Sequence, residues 1–265
     1  MKKLSIGYST CPNDTFIFDA MVHGKINTEG LSFEPVLEDV EKLNTRAFQE
    51  ELDITKISYH TWVYLQKSYS LLNSGSALGN NCGPILISKY ELNPLQLVPE
   101  KIGIPGKFTT ANLLLQLFLG KRMNAKEFLF SDIETALLNE EIDAGVIIHE
   151  SRFTYEHKGL KKIQDLGEYW EKTTGLPIPL GGIVVRKELG TDLKDTIDRI
   201  LKRSVQYAFD HPGSSRDYVK KHAQEMSEDV MNSHIALYVN AHTLDLGEVG
   251  NKAVSRLMTA AAELP

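Results

Sequence analysis

Short apolar runs rich in Ile, Val and Leu alternate along this chain with amphipathic stretches at helical spacing, the pattern that calls for parallel strands joined by crossover helices. The runs predict strands near residues 4–9, 31–37, 54–57, 102–104, 127–130, 144–148 and 183–186, with helices between most of them. The fold class expected is therefore α/β, built on mostly parallel sheets with helices on both faces.

The order of features repeats. Leu4-Ser5-Ile6-Gly7 and Lys101-Ile102-Gly103-Ile104 each lead into a polar turn and a helix start, Ser9-Thr10-Cys11-Pro12-Asn13-Asp14 in the first case and Pro105-Gly106-Lys107-Phe108-Thr109-Thr110 in the second. Further on, Glu50-Glu51-Leu52-Asp53 and Glu140-Glu141-Ile142-Asp143 each close a helix and open a strand. Any α/β protein repeats helix-turn-strand punctuation, but three matches in register predict two similar lobes. The first lobe is expected to be discontinuous, 1–85 plus 185–265, and the second to span 86–184. Crossings fall near 73–88, where Gly and Asn tolerate the backbone changes of a hinge, and near 177–186. The helix-rich stretch from 193 to 263 is expected to pack back onto the first lobe.

Composition narrows the partners. A hydrophobic fraction of 42% and a charged fraction of 24% are ordinary globular values. With 35 acids against 29 bases and no Lys/Arg stripe, nucleic acid is an unsuitable partner. No apolar run reaches the roughly 20 residues that span a bilayer, so no membrane partner is expected. The opening residues carry no secretory pattern, and the two cysteines, Cys11 and Cys82, form neither a disulfide framework nor a zinc spacing. A cytoplasmic location is expected, and a homodimer is compatible with the sequence.

In open sheets ligands bind off the carboxyl ends of strands, which directs attention to the turns Ser9 to Asp14, Ser58 to Thr61, Gly106 to Asn112 and His149 to Arg152. Thr109, Thr110 and Ala111 open an apolar helix, whose free backbone amides and positive dipole end suit a carboxylate. No Ser or Thr follows Lys107 directly, so the turn is not a P-loop, and capping of the helix by a threonine is compatible with ligand binding. Asn13 and Asp14 are candidate caps and ligand contacts at the first turn, and Ser58 is a candidate donor. His149 terminates the apolar run Gly145-Val146-Ile147-Ile148, where an imidazole accepts a proton near neutral pH; a structural histidine is the plainer alternative. His149-Glu150 with His157 does not match a zinc motif, so no metal is expected. Gly175-Leu176-Pro177-Ile178-Pro179-Leu180-Gly181-Gly182 is too stiff for a linker and reads as a shaped wall of the cleft, with Gly181 and Gly182 as contact positions. Tyr155, Tyr169 and Trp170 are candidates to stack on a flat ring.

At these turns the sequence resembles the 1,4-dihydroxy-6-naphthoate synthases of menaquinone biosynthesis by the futalosine pathway. The matching stretches are Cys11-Pro12-Asn13-Asp14-Thr15-Phe16, Ile57-Ser58-Tyr59, Gly145-Val146-Ile147-Ile148-His149-Glu150 and the Gly175 to Gly182 segment. The resemblance implies a two-lobed, type II periplasmic-binding-protein-like fold recruited as a lyase. It would act on cyclic dehypoxanthine futalosine, a small carboxylate substrate, without metal or redox cofactor. It also implies His149 as base, with Ser58, Thr110 and Ala111 as ligand contacts. Rival readings are a non-catalytic solute-binding protein, the chorismate dehydratase of the same pathway, and the ligand-sensing domain of a transcription regulator.

Overall fold

The sequence Cys-Pro-Asn-Asp shows how local chemistry sets the frame. Cys11 is extended backbone, Pro12 occupies the first helical position, where its missing N–H is no loss, and Asp14 complements the positive end of the helix. The helix begins two or three residues earlier than a cap at Asn13 or Asp14 would have it. Ten of its residues, from Pro12 to Met21, are buried, because the first sheet and three later helices enclose it.

The computed structural model describes residues 2–223 and 227–265. The chain runs through β1 (Lys2–Tyr8), α1 (Pro12–Val22), β2 (Leu31–Leu37), α2 (Val40–Phe48), β3 (Ile54–Ser58), α3 (Tyr59–Leu65), β4 (Tyr69–Leu71) and β5 (Ala77–Gly79). It then passes to β6 (Ile85–Ser88), β7 (Ile102–Ile104), α4 (Thr110–Leu119), β8 (Lys126–Glu127), α5 (Ile133–Leu138), β9 (Ala144–Ile147), β10 (Lys161–Asp165) and α6 (Leu166–Thr174). It returns through β11 (Ile178–Arg186) to α7 (Thr191–Asp210), α8 (Arg216–His222), α9 (Glu228–Tyr238), α10 (Ala241–Leu244) and α11 (Gly247–Glu263).

Two sheets result, ordered β2-β1-β3-β11-β4 with β5 beside β11, and β10-β6-β9-β7-β8. The repeat read from the sequence is visible in their register. Gly7 pairs with Thr55 in parallel, and Gly103 pairs with Gly145 in parallel. Glu50 and Glu140, the first residues of the two echoing tetrapeptides, both adopt left-handed backbone, with φ of 54° and 61°. The same helix stop is used twice.

The structure modifies four expectations. The sheets are mixed: β11 is antiparallel to β3, and β6 is antiparallel to β9, because these strands carry the chain from one sheet to the other. β11 pairs along its whole length in the first sheet, so residues 178–184, expected in the second lobe, belong with the first. The expected strand at 127–130 shortens to β8 because Phe130 turns into the core. The C-terminal helices do not serve one lobe alone. α7 packs on α1, whereas α11 touches α3 and β11 of the first sheet and α4 of the second. One apolar cluster accordingly runs from Leu113, Leu114 and Val146 through Ile178 to Ala253 and Leu257.

Candidate active site

Between the two sheets, at the carboxyl ends of β3 and β9, lies a narrow cavity of about 80 Å³. Asn13, Ser58, Thr109, Thr110, Ala111 and His149 all line it, so the four turns singled out in the sequence meet in one place. Leu180 and Gly181 of β11 form part of its wall, with Cys82, His234 and Tyr238 also facing it.

His149 follows β9 after the single residue Ile148, with φ at +57°, a left-handed conformation unusual for a residue with a side chain. Such backbone costs on the order of 1 kcal/mol and persists only where the surroundings impose it. Here the ring is fixed on three sides. Phe130 meets it edge-on with centroids 4.8 Å apart, His234 stacks at 6.1 Å, and its Nδ1 lies 3.2 Å from the Cys11 sulfur. Among the described residues Nε2 has no hydrogen-bond partner. Burial lowers the His149 pKa to about 4, with the Lys56 charge adding to the effect and Asp14 partly opposing it. The imidazole is neutral at pH 7, with a lone pair available to take a proton.

The start of α4 forms the end of the cavity whose chemistry suits an anion. Thr109 is the cap: its hydroxyl accepts the Asn112 N–H at 3.2 Å and donates to the Gly106 carbonyl at 2.8 Å. The Thr110 hydroxyl donates to the Leu180 carbonyl at 2.6 Å and accepts the His60 N–H at 3.3 Å. Both threonine hydroxyl protons are thus engaged within the protein. What the turn offers a carboxylate is the first-turn backbone N–H groups of Thr110 and Ala111, at the positive end of the helix. The Ser58 hydroxyl accepts from Asn44 Nδ2 at 3.2 Å while its backbone N–H donates to Asn44 Oδ1 at 2.9 Å, which leaves its own proton to donate.

Behind this wall Asp14, 1% exposed, accepts from the Ser9 hydroxyl at 2.6 Å, the Ser9 N–H at 3.0 Å and Asn13 Nδ2 at 2.8 Å, and pairs with Lys56. Asn13 in turn meets His234 Nε2 through its Oδ1 at 3.0 Å. Burial, with His149 and Lys56 nearby, holds the His234 pKa well below its ordinary value. Lys56 is the one lysine or arginine among the described residues that line the cavity. Its ammonium is held by Asp14, and its stem passes Gly181, where an added Cβ would stand 3.6 Å from the Lys56 Cε.

Asp14 and Gly182, singled out in the sequence, do not line the cavity. Asp14 braces Lys56 and Asn13, and Gly182 packs against Tyr59 and Leu71. The aromatic residues expected to stack on a ring are used elsewhere: Trp170 donates to the Pro177 carbonyl at 3.1 Å, Tyr169 to the Leu117 carbonyl at 3.1 Å, and Tyr155 is buried among residues of the second sheet. Lys56, Asn44 and His234 were missed. A lysine inside the apolar run Ile54 to Ile57 is a legible signal, since a buried ammonium needs a partner. His234, in the middle of an amphipathic helix, carries none. Among the described residues no cluster of His, Cys, Asp or Glu could hold a metal ion, and no helix is long and apolar enough to cross a membrane.

Comparison with known proteins gives a consistent result. A family model described as menaquinone biosynthesis matches residues 4–263. The 1,4-dihydroxy-6-naphthoate synthase of Thermus thermophilus is 44% identical over 98% of this chain and 94% of its own length. The enzyme of the same name from Streptomyces coelicolor is 41% identical over 98% and 93%. Among solved structures, a protein from Archaeoglobus fulgidus superposes with a TM-score of 0.91 at 34% identity, covering 98% of this chain and 97% of the other. A Candida albicans protein described as having the generic periplasmic-binding-protein fold superposes with a TM-score of 0.66 at 14% identity over 99% and 90%, a likeness of fold alone.

Proposed function

The chain belongs to the menaquinone-biosynthesis family, and we propose that it acts in the cytoplasm as a carbon–carbon lyase, a 1,4-dihydroxy-6-naphthoate synthase whose substrate is cyclic dehypoxanthine futalosine. The observation that carries the reading is a juxtaposition. A neutral imidazole with an unengaged Nε2 faces the same cavity as the first-turn amides of α4 and the Ser58 hydroxyl.

In this mechanism the substrate carboxylate sits on the Thr110 and Ala111 N–H groups, with Ser58 donating beside them. His149 Nε2 removes a proton next to the reacting carbons. The electron pair left behind becomes a ring double bond as the bond to the sugar fragment breaks; the fragment leaves with the bonding pair and takes the proton back from His149, and its loss aromatises the ring. The closed lobes exclude water and hold base and substrate in a fixed geometry, a source of rate that needs no cofactor. The two sides of the reaction come from different lobes, since Ser58 ends β3 and His149 follows β9.

The test is to incubate the purified protein with the cyclic substrate and follow naphthoate absorbance. His149→Asn should abolish product while leaving ligand affinity within about tenfold, the signature of an interaction made in the transition state. Wild-type inactivity would defeat the proposed reaction, and unchanged turnover in the variant would remove His149 from it.

A further inference from the structure

Cys11 is the cap residue of α1 yet makes no side-chain capping bond. Its backbone is anchored by its carbonyl, which accepts the Asp14 and Thr15 N–H groups at 3.1 Å each and the Thr15 hydroxyl at 3.1 Å. Pro12 restricts it further to extended backbone. The side chain, 6% exposed, is thereby aimed across the cleft, and its sulfur lies 3.2 Å from His149 Nδ1. His149 arrives from the other lobe on its own constrained, left-handed backbone. Two constrained chain segments, one from each lobe, meet at this sulfur–nitrogen contact.

We infer that Cys11 is a positioning residue, which accepts the His149 Nδ1–H when the lobes close and so leaves the Nε2 lone pair toward the cavity. A neutral imidazole carries one proton and has two nitrogens to place it on, and the partner of one nitrogen decides the state of the other. With Nδ1–H on the sulfur, Nε2 is the acceptor. When Nε2 takes the substrate proton, the imidazolium keeps its Nδ1–H on the sulfur, and the thiol neither gains nor loses a proton. No bond to sulfur forms. The contact joins the two lobes, so the base is set in its working tautomer only in the closed form.

The inference rests on the proposed role of His149, and its test separates the two. Protein with ¹⁵N-labelled histidine is studied by long-range ¹H–¹⁵N NMR near pH 7.5, the His149 ring being assigned by its disappearance in His149→Asn. Wild type should show a protonated Nδ1 and an unprotonated Nε2. Cys11→Ala should shift the ring toward the Nε2–H form, with kcat falling at least tenfold and KM changing less than threefold. Cys11→Ser, whose hydroxyl can accept the same N–H, should restore the wild-type tautomer and most of kcat, and a folded Cys11→Ser keeps the tautomer readout available if Cys11→Ala does not fold. An Nε2–H ring in wild type, or an unchanged ring in Cys11→Ala, overturns the inference. A tautomer that moves as expected in a protein that does not turn over the cyclic substrate supports the Cys11 contact and removes the proposed reaction.

Discussion

The Glu41 carboxylate on α2 accepts the backbone N–H of Phe108 at 2.9 Å, one of several bonds, with those of His60, Thr61 and Leu180, that tie the first lobe to the turn before α4. Its other oxygen accepts from Asn44 Nδ2 at 2.9 Å, and Asn44 is the residue that orients Ser58. The same carboxylate therefore contacts both the turn before α4 and the residue that orients the Ser58 hydroxyl toward the cavity. Gly106, with φ at +147°, lies directly against the Glu41 side chain; an added Cβ there would fall 2.4 Å from Glu41 Cγ.

Gly106→Ala should keep the lobes apart. The new methyl group displaces Glu41, and the backbone at this position is one that side chains disfavour. Expected is a rise in KM of at least tenfold with a folded, cooperatively melting protein, read from steady-state kinetics and thermal unfolding. Wild-type KM would mean that the Glu41–Phe108 bond is not part of the closed form.

Acid should destabilise the protein through its buried histidines, with Glu41 working in the opposite sense. Burial lowers the His60 pKa from 6.5 to about 4, so the folded state binds fewer protons than the unfolded chain across that interval. The stability this group contributes is present above pH 6.5 and is lost as pH falls toward 4, by up to roughly 3 kcal/mol. Burial raises Glu41 from 4.5 to about 7, and the stability it contributes is present below 4.5 and is lost as pH rises to 7. Removing each group should therefore change the slope in opposite directions. His60→Leu should flatten the loss of stability between pH 6.5 and 4.5 seen in urea titrations, and Glu41→Gln should steepen it.

Much of this architecture is legible in the sequence because it rests on local signals. Leu31 to Leu37 and Ile102 to Ile104 are strands with the bounds the apolar runs suggest, and the echo of Glu50 and Glu140 is a shared left-handed helix stop. The rest depends on long-range pairing. β4 and β5 are three residues each, and both are strands only because β11 lies beside them more than ninety residues later. Strand direction has no local signature, so β6 and β11 could not be read as antiparallel. The same holds in the site: Ser58, Thr110 and His149 sit at turn positions that announce themselves, whereas His234 reaches Asn13 from 221 residues away.

Lys56→Met should be among the most destabilising single changes in the first lobe. It leaves Asp14, 1% exposed, without its ammonium partner, and a buried charge stripped of its pair costs about 3–5 kcal/mol. The companion change Asp14→Asn in the same chain should recover a large part, since neither side chain then carries a charge. Denaturant midpoints of both single variants and the double variant close the cycle. Additive losses would show that the pair is not coupled.

Whether the carboxylate is held by main-chain amides or by threonine hydroxyls can be decided at one position. Thr110 is the first residue of α4, and Thr109 before it is extended, with φ of −71° and ψ of 148°. Proline is tolerated at such a site, since both its own φ and the conformation it demands of the preceding residue are already present. Thr110→Val removes the hydroxyl and leaves the Leu180 carbonyl without its donor, a loss of about 1–2 kcal/mol in stability. Thr110→Pro removes the hydroxyl and the N–H together. If the amide carries the ligand, Val should change KM by only a few fold, whereas Pro should raise it at least tenfold beyond Val while the two proteins melt within a few degrees of each other. Equal KM values would return the task to the hydroxyl and to Ser58, because the N–H would then have contributed nothing that proline takes away.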